Sequence, residues 1–409
     1  MAIEALLIPP ATGKQYTLKL FGKQMTIRGR RYDSGTAVEV QFSAGKIAAV
    51  NPIDDDEMLP WISPGWLDIQ VNGFGGKEFS SATLATDEVR DVTLAMDSMG
   101  VTSYWPTLTT HSCEVLQHGL KTIAQSYRED AEVAARIGGI HVEGPYLSPE
   151  DGPRGAHPKQ HCRPPSWDEF QSFQQAAEGL INLITVAPEW EGSAEFISRV
   201  VASKVVVAIG HTAADSDQIR AAVDAGATLS THLGNGAHGT IRRHPNYIWD
   251  QLADDRLSAS LIADGHHLPY SVLKSMVRAK TPARSILVSD ITGMAGMPPG
   301  RYQSPSLADV EVLEDGRLVV AGQRQYLAGA ALPIGVGIEI ITRHTDATLA
   351  EAIDMVCKNP ANLWQLPTPA IEVGSDADLV TFDLGSPQNA PLNVRTTVKS
   401  GEEVWTNPS

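Results

Sequence analysis

The sequence predicts an α/β protein in which a TIM-type (β/α)8 barrel carries a small β-sandwich domain built from both chain termini. Two observations lead to this fold. Between residues 64 and 366, short apolar runs alternate with helical stretches, which is the pattern of βα units and a parallel sheet. The two ends of the chain contain mainly short strand-like runs that turn residues separate. The predicted domains are therefore 1–63 with 367–409 for the sandwich, and 64–366 for the barrel.

The number of apolar runs supports a closed barrel. Eight runs are candidate barrel strands: 66–71, 102–106, 137–142, 180–186, 204–209, 228–231, 258–262 and 285–288. Helical patterns lie between them, for example at 86–99, 113–127, 167–177 and 216–225. Eight parallel strands with intervening helices are the set that closes a TIM barrel.

The remaining segments are assigned by the same patterns. Strands are predicted near the N-terminus at 17–21, 24–29, 37–42 and 46–50. After the last barrel strand we expect a hairpin over 310–321 and helices at 334–344 and 349–358. Strand-like runs return within 377–383 and 394–405, so both termini contribute strands to one small domain.

Charge and composition exclude several classes of partner. The 409 residues carry a formal net charge of −16, and an acidic chain repels nucleic-acid backbone and anionic membrane. No apolar run approaches the roughly 20 residues that cross a bilayer, and the first residues lack the pattern of a signal peptide. Cys113, Cys162 and Cys357 are widely scattered, which fits a reducing compartment. We therefore expect a cytoplasmic protein with no nucleic-acid and no membrane partner.

Polar side chains follow six of the eight predicted barrel strands. Reactive residues of a TIM barrel project from the carboxyl ends of its strands, so these side chains are expected to share one site. The residues at these ends are Asp68, Gln70, Asn72, Glu143, His211, His232, Asp264, His266, His267 and Asp290.

Three of these residues form a set of metal-ligand types. Glu143, His211 and His232 supply one carboxylate and two imidazoles, which suits a catalytic zinc with a fourth position open for water. Such an ion lowers the pKa of bound water toward about 7. Asp290, at the end of the last strand, is then the candidate that takes the proton of this water and returns it to a leaving amine. His267 is a candidate donor to the carbonyl oxygen of the substrate.

At these motifs the chain resembles the N-acetylglucosamine-6-phosphate deacetylase family of the amidohydrolase superfamily. The motifs occur in family order across nearly the whole chain, and those at 64–73 and 141–146 are the most specific. They are PGWLDIQVNG at 64–73, HVEGPY at 141–146, RGAHP at 154–158, APE at 187–189, GHT at 210–212, THLGN at 231–235, IADGHH at 262–267, VSD at 288–290, LAG at 327–329 and NPA at 359–361.

The resemblance implies metal-dependent hydrolysis of the acetamide of an N-acetylated amino sugar, with N-acetylglucosamine 6-phosphate as the expected substrate. It implies the same barrel with a terminal β-sandwich. It also implies one divalent ion held by Glu143, His211 and His232, usually zinc, although iron or another divalent ion stays open. Asp290 corresponds to the acid–base residue of the family. Many amidohydrolases hold a second metal with His-x-His after the first strand. Here Gln70 and Asn72 stand at those positions, and neutral amides are poor zinc ligands.

The resemblance also implies which residues contact the substrate. His157 and His267 correspond to substrate-contacting histidines. Asn235 and the backbone of Gly236 correspond to the part of the site that meets the sugar phosphate. Arg243 resembles an arginine that reaches the phosphate from the partner subunit of a homodimer.

The chain departs from the usual family pattern after the THL motif at 231–233. The family has an aromatic residue followed by Asn-Ala-Met, whereas this chain has GNGAHG at 234–239 and the basic run TIRRHP at 240–245. The lost bulk could widen the sugar site, and the arginines could still bind a phosphate. Two alternatives stay open: another amidohydrolase that acts on a cyclic imide or an N-acyl amino acid, and a non-catalytic paralogue.

Overall fold

The computed structural model describes residues 25–304, 308–385 and 392–408. Its N-terminal part supplies four strands: β1 (Thr26–Arg31), β2 (Ala37–Ser43), β3 (Lys46–Pro52) and β4 (Trp61–Pro64). The strand predicted at 24–29 corresponds to β1, and those at 37–42 and 46–50 correspond to β2 and β3. The strand predicted at 17–21 lies outside the described residues.

The barrel strands follow at the predicted places. A short hairpin, β6 and β7, interrupts their series directly after the first barrel strand. The strands are β5 (Trp66–Val71), β6 (Gly73–Phe74), β7 (Lys77–Glu78), β8 (Val101–Thr109), β9 (Ile140–Glu143), β10 (Ile181–Val186), β11 (Val206–Ile209), β12 (Leu229–Ser230), β13 (Ser258–Ile262) and β14 (Ser285–Val288).

Eight of these strands form one parallel sheet in the order β5-β8-β9-β10-β11-β12-β13-β14. The two edges of this sheet meet just beyond the strand ends. There, Val71 forms a parallel bridge with Ile291, and the Asp290 amide donates to the Gln70 carbonyl at 3.0 Å. The predicted eight-stranded TIM barrel is therefore confirmed.

Helices cover the outside of the barrel. They are α1 (Thr86–Ala95), α2 (Cys113–Glu129), α3 (Ala131–Ala134), α4 (Trp167–Ala176), α5 (Ser193–Ala202), α6 (Ser216–Asp224), α7 (Tyr247–Ala253) and α8 (Tyr270–Lys280). Side-chain caps set several starts: Asp215 accepts from the Gln218 amide at 2.9 Å, while the Gln218 side chain accepts from the Asp215 amide at 2.8 Å. In the helix predicted at 86–99, the last turn, 96–99, is a 3₁₀ turn.

Apolar side chains fill the inside of the barrel. Leu67, Ile69, Leu183 and Ile286 belong to one buried cluster there. Within the same cluster the ring of Trp105 stacks on that of Trp364, with centroids 4.6 Å apart. A packed interior leaves the carboxyl ends of the strands as the place where a site can open.

A second small sheet follows the barrel. It contains β15 (Gly300–Ser304), β16 (Ala308–Val312), β17 (Leu318–Val320) and β18 (Gln323–Gly329), which pair in sequence order and antiparallel. The hairpin predicted at 310–321 covers only its two middle strands. The outer strands lack a regular apolar alternation, and their pairing comes from tertiary contacts rather than from local pattern.

The end of the chain returns to the barrel and then to the N-terminal strands. Its elements are α9 (Ile334–His344), α10 (Leu349–Asp354), α11 (Lys358–Asn362), β19 (Leu379–Asp383), β20 (Asn393–Lys399) and β21 (Glu402–Thr406). The prediction of one continuous helix over 349–358 is wrong, because the helix that begins at Leu349 ends at Asp354. Beyond it, the carbonyls of Met355 and Val356 accept hydrogen bonds from the barrel amides of Leu287 at 3.0 Å and Leu67 at 2.7 Å, respectively.

Both termini build one seven-stranded sheet in the order β21-β20-β19-β4-β1-β2-β3. Strand β4 joins the two halves, because it pairs parallel with β1 and antiparallel with β19. Side chains from both halves, including Val40, Ile62 and Leu379, belong to one apolar cluster. The small β-domain is therefore shared by both termini, as predicted, while the boundaries 63/64 and 366/367 stay predictions. Among the described residues, no helix has the length and apolar character that crossing a membrane requires.

Candidate active site

The carboxyl ends of the barrel strands bring the predicted polar residues together. Glu143 ends β9, His211 and His232 follow β11 and β12, and Asp290 follows β14. His211, His232 and Asp290 have φ angles of +50°, +27° and +52°. Non-glycine residues rarely adopt positive φ, and such strain concentrates at functional sites where the surrounding structure holds it. The backbone at three strand ends is therefore held in an unfavourable conformation that places polar side chains in the barrel mouth.

Three of these side chains meet at one point. Glu143 Oε1 lies 2.8 Å from His232 Nε2 and 3.3 Å from His211 Nε2, and the two imidazole nitrogens are 3.1 Å apart. All three residues are buried. Ligand atoms that surround a zinc ion tetrahedrally at about 2.0–2.1 Å lie roughly 3.3 Å from one another. The spacing of the three atoms is close to that of a small divalent cation's ligands.

The protonation of His211 shows that these atoms fit a cation. Its Nδ1 lies 2.8 Å from the carbonyl oxygen of Pro153, which can only accept, so Nδ1 carries the ring proton. The lone pair of Nε2 in the neutral ring then faces the Glu143 carboxylate and His232. Two acceptors in contact in a buried site repel each other unless a cation lies between them. Burial would raise the pKa of Glu143, but the close contacts with the rings of His211 and His232 hold it well below the usual value.

A third histidine lies against this group. His157 Nε2 is 3.2 Å from His211 Nε2, so Glu143, His157 and His211 also form a geometrically acceptable ligand set. The Thr110 amide donates to His157 Nδ1 at 3.4 Å, which leaves the proton of the neutral ring on Nε2. A protonated nitrogen donates rather than coordinates. Burial lowers the pKa of His157 to about 3, so the ring is neutral near pH 7 and suits contact with a substrate oxygen.

The site opens into a cavity of about 380 Å³. Its described lining contains neither Lys nor Arg. The lining residues are Asn72, Glu78, Ser80, Thr109, Glu143, Gly155, Ala156, His157, Pro158, His211, His232, Asn235, Gly236, Ile262, His267, Asp290, Thr292, Leu327, Ala328 and Gly329. The cavity wall thus contains all the predicted metal, proton-transfer and substrate-contacting residues except Arg243, whereas the other strand-end residues Asp68, Gln70, Asp264 and His266 are not among its lining residues.

Comparison with known proteins agrees with this geometry. Residues 61–404 match the model of the amidohydrolase family.

The chain belongs to the amidohydrolase family.

Its similar relatives include a Bos taurus N-acetylglucosamine-6-phosphate deacetylase, 34% identical over 84% of this chain and 83% of the relative. An Escherichia coli O157:H7 N-acetylgalactosamine-6-phosphate deacetylase is 31% identical over 85% of this chain and 91% of its own length. A solved Mycobacterium smegmatis N-acetyl-D-glucosamine-6-phosphate deacetylase, in complex with N-acetyl-D-glucosamine-6-phosphate, has a TM-score of 0.83 and 29% identity. The match covers 94% of this chain and 100% of the Mycobacterium smegmatis chain. The predicted resemblance is confirmed.

In this amidohydrolase, two amides occupy the positions of the His-x-His motif, and the structure shows what they contact. Gln70 Nε2 donates to Glu143 Oε1 at 2.9 Å, and Asn72 Nδ2 donates to Asp290 Oδ1 at 2.8 Å. Each amide therefore orients a carboxylate of the site. An N–H donor in this place favours the ionised carboxylate and does not bind a cation.

Asp290 has the electrostatic environment of a proton-transfer group. Burial and the nearby charge of Glu143 raise its pKa to about 6, while His232 and the hydrogen bond from Asn72 oppose the shift. A carboxylate with a pKa close to the working pH can accept a proton and release it again. Its position in the cavity wall allows contact with a substrate.

His267 is held by its neighbour Asp264. The Asp264 side chain accepts from His267 Nδ1 at 2.7 Å and from the amides of His266 and His267 at 2.8 and 2.9 Å. This fixes the ring by one nitrogen and leaves Nε2 for the substrate. His266 is not among the cavity-lining residues, so the structure separates the two adjacent histidines that the sequence alone left ambiguous.

The residues expected to meet the phosphate fall into two groups. Asn235 and Gly236 line the cavity of this amidohydrolase. A Cβ at Gly236, whose φ is +54°, would lie 2.5 Å from His211 Nδ1, so glycine also makes room for the imidazole. Arg243 is exposed and outside the cavity of its own chain.

Several lining residues were missed from the sequence. Glu78, Ser80, Thr109 and Thr292 lie in the cavity wall, yet none follows the end of a barrel strand with a recognisable ligand pattern. The LAG motif at 327–329 matched the family pattern, but the sequence assigned no function to it. Its three residues form part of the cavity wall, at the end of β18.

Proposed function

We propose that this amidohydrolase hydrolyses the acetamide of an N-acetylated amino sugar 6-phosphate, with N-acetylglucosamine 6-phosphate as the first candidate, giving the amino sugar phosphate and acetate. The observation that carries the proposal is the buried Glu143–His211–His232 group, which lies in one cavity with Asp290. The deacetylases similar to this chain act on sugars of this class. Keeping all four groups argues against a non-catalytic paralogue.

Glu143, His211 and His232 would hold one divalent ion, for which the mixed nitrogen and oxygen ligands suit zinc. Such an ion supplies activation of water and polarisation of the acetyl carbonyl. Gln70 and Asn72 do not supply a second pair of imidazoles, which supports a single ion per chain.

Asp290 removes the proton of the attacking water and delivers it to the departing amine nitrogen. Its raised pKa makes both transfers feasible near neutral pH. His157 Nε2 carries the ring proton and can donate it to a substrate oxygen. His267 donates its Nδ1 proton to Asp264, so its Nε2 donates to a substrate oxygen in the imidazolium form, which the Asp264 carboxylate stabilises. Donors fixed before the reaction stabilise developing charge without reorganising during it.

We also propose a homodimer in which Arg243 reaches the phosphate bound by the partner subunit. The described cavity lining has no Lys or Arg, so a dianionic phosphate needs a cation from elsewhere. Arg243 is exposed, and the exposed hydrophobic side chains Ile241 and Trp249 lie on the same segment. A surface with apolar and basic side chains is suited to an interface between subunits. The acidic composition and scattered cysteines favour a cytoplasmic location for this enzyme.

Acetate release tests the proposal directly. The substrates are the N-acetyl derivatives of glucosamine, galactosamine and mannosamine, each with and without the 6-phosphate. We expect the highest kcat/KM on a 6-phosphorylated sugar. Since the relatives include both glucosamine- and galactosamine-type enzymes, the ratio between these two epimers assigns the preferred sugar. A higher kcat/KM on a cyclic imide or an N-acyl amino acid would contradict the proposal.

A further inference from the structure

The APE motif at 187–189 contains a carboxylate that the proposed reaction does not use. Glu189 lies just beyond β10 and is partly buried. It is not among the described residues that line the cavity, so it does not face the substrate. Its bonds instead run to the segment that follows His211, one of the three proposed metal ligands. Any role of Glu189 in the reaction therefore acts through that histidine.

The Glu189 carboxylate accepts hydrogen bonds from two donors that come directly after His211. Its Oε2 accepts from the Thr212 hydroxyl, and its Oε1 accepts from the Ala213 amide at 2.9 Å. The Thr212 hydroxyl oxygen in turn accepts from the amide two residues later, at 2.9 Å. These groups lie in the connection 210–215 between β11 and α6, which no regular element fixes. Bonds to a carboxylate are stronger than bonds between neutral groups, so Glu189 holds this connection firmly.

The backbone of His211 requires such support. Its φ of +50° lies in a region that non-glycine residues rarely adopt, and such a conformation persists only where the surroundings hold it. The Ser148 amide donates to the His211 carbonyl at 3.0 Å, and Glu189 holds the next two residues. Together these bonds keep the backbone in the conformation that places the imidazole in the cavity wall.

The imidazole of His211 has little room to adjust. Its Nδ1 lies 2.8 Å from the Pro153 carbonyl oxygen. A Cβ on Gly236 would lie 2.5 Å from the same nitrogen, and a Cβ on Gly155 would lie 3.2 Å from Cε1. Because the ring is enclosed this closely, a rotation of the side chain cannot compensate for a backbone shift. The position of Nε2, the proposed ligand atom, therefore depends on the backbone that Glu189 holds.

The other proposed histidine ligand is held in a different way. The His232 amide donates to Ser260 Oγ at 2.7 Å, and the Leu233 amide donates to the Ser260 carbonyl at 2.9 Å. Ser260 belongs to the neighbouring barrel strand β13. A regular strand thus fixes the residues around His232, whereas a loop carboxylate fixes those after His211. Loss of the Glu189 bonds should therefore disturb His211 selectively.

We propose that Glu189 is a positioning residue that holds His211 in the geometry that binding of the divalent ion requires. The inference rests on the proposed function, in which Glu143, His211 and His232 hold this ion. Glu189 acts through the Thr212 hydroxyl and the backbone that follows it, without contact to the ion or to the substrate. Outer partners of metal ligands typically contribute about 10–100-fold to metal affinity.

The first test compares Glu189→Gln with the control Glu191→Gln, a change of the same kind at an exposed position two residues away. Metal-free forms of both variants and of the wild type are titrated with zinc in competition with a chromophoric chelator. Glu189→Gln should raise the zinc Kd by about 10-fold, because glutamine keeps one of the two accepted bonds, and Glu189→Ala should raise it by about 100-fold. Glu191→Gln should bind zinc with the wild-type Kd.

Variants of the bonded hydroxyl test the path of this effect. Thr212→Val removes the donor to Glu189 and should raise the zinc Kd by about 10-fold, whereas Thr212→Ser keeps the donor and should retain the wild-type Kd. Since Thr212→Val and Glu189→Gln disturb the same bond, the double variant should lose less affinity than the product of the two single losses. A loss equal to that product would overturn the inference.

The remaining outcomes separate this inference from the proposed function. An unchanged zinc Kd in Glu189→Gln and Thr212→Val would overturn the inference, even with a lower melting temperature of the metal-free protein, because that temperature alone reports a structural role. If Glu189→Gln does not fold, the Kd of Thr212→Val decides. Wild-type protein that binds no zinc would overturn the proposed metal site itself, and this inference with it.

Discussion

The floor and the rim of the cavity are built in different ways. On the floor, Glu143, His211, His232 and Asp290 stand at strand ends, and neighbouring groups such as Gln70 and Asn72 fix their atoms. The rim consists of long connections that hold one another: His238 lies 3.0 Å from the Tyr247 hydroxyl and 3.2 Å from Glu150 Oε2. Changes on the floor should therefore affect the reaction itself, while changes on the rim should affect the choice of substrate.

Removing the bound ion tests the floor most severely. Dialysis against a strong chelator should reduce activity to background, because water activation and carbonyl polarisation would both be lost. Added zinc should restore it. Elemental analysis of protein purified without added metal should find one equivalent per chain. Two equivalents of metal per chain that survive dialysis would contradict a site that holds a single ion.

Replacing the proton-transfer group should have the next largest effect. Asp290→Asn should lower turnover by about 10²–10⁴-fold, near the upper limit because the same carboxylate serves two transfers. The metal content should not change, since Asp290 is outside the proposed ligand set. Asp309→Asn, an exposed change of the same kind, serves as the control. Near-normal turnover of Asp290→Asn would assign this residue a purely structural role.

A rim change should distinguish substrates instead. Arg243→Ala should lower kcat/KM for the 6-phosphorylated sugar by about 10–150-fold, which corresponds to ~1.5–3 kcal/mol for a charge-assisted bond. Activity on the free sugar should stay nearly constant. Arg242→Ala is the neighbouring control, and analytical ultracentrifugation checks that the dimer persists. Equal losses on both substrates would place Arg243 among groups that support the fold or the dimer.

The smallest expected effect is a shift in pH dependence. Asp290 must be ionised to accept a proton, so kcat/KM should fall as the pH drops through its pKa, raised by burial to about 6. A bound cation moves this acid limb to lower pH. Asn72→Ala removes a donor that favours the carboxylate, so the limb should move to higher pH than in wild type. A limb at the same pH in both proteins would show that the Asn72 bond does not influence the proton transfer.

The difference between floor and rim also explains what the sequence could predict. Glu143, His211, His232 and Asp290 were found because each follows a short apolar run, and strand ends of a parallel barrel converge by geometry. The relative positions of these four residues around the barrel could also be predicted, because neighbouring strands in the barrel are consecutive in the chain. The same argument located Gln70 and Asn72, although their contacts with Glu143 and Asp290 required the structure.

The rim residues carried no such signal. Glu78 enters the cavity because a two-residue strand pairs with Gly73, and this pairing depends on bonds to the loop after Asp290. The outer strands β15 and β18 pair through contacts that no local alternation specifies. Gly236 was assigned to the phosphate from resemblance alone. Only the structure shows that it also clears the imidazole of His211.

The place of β4 between β1 and β19 has a consequence for biosynthesis. Roughly 300 residues separate β4 from β19, so at about 5–20 residues per second the ribosome needs roughly 15–60 s after β4 to deliver β19. Throughout that interval the β19 side of β4 offers unpaired backbone groups to other chains. The barrel can mature while the sheet that joins its ends is still incomplete. Newly made chains are therefore most vulnerable to aggregation at an edge that is central in the finished protein.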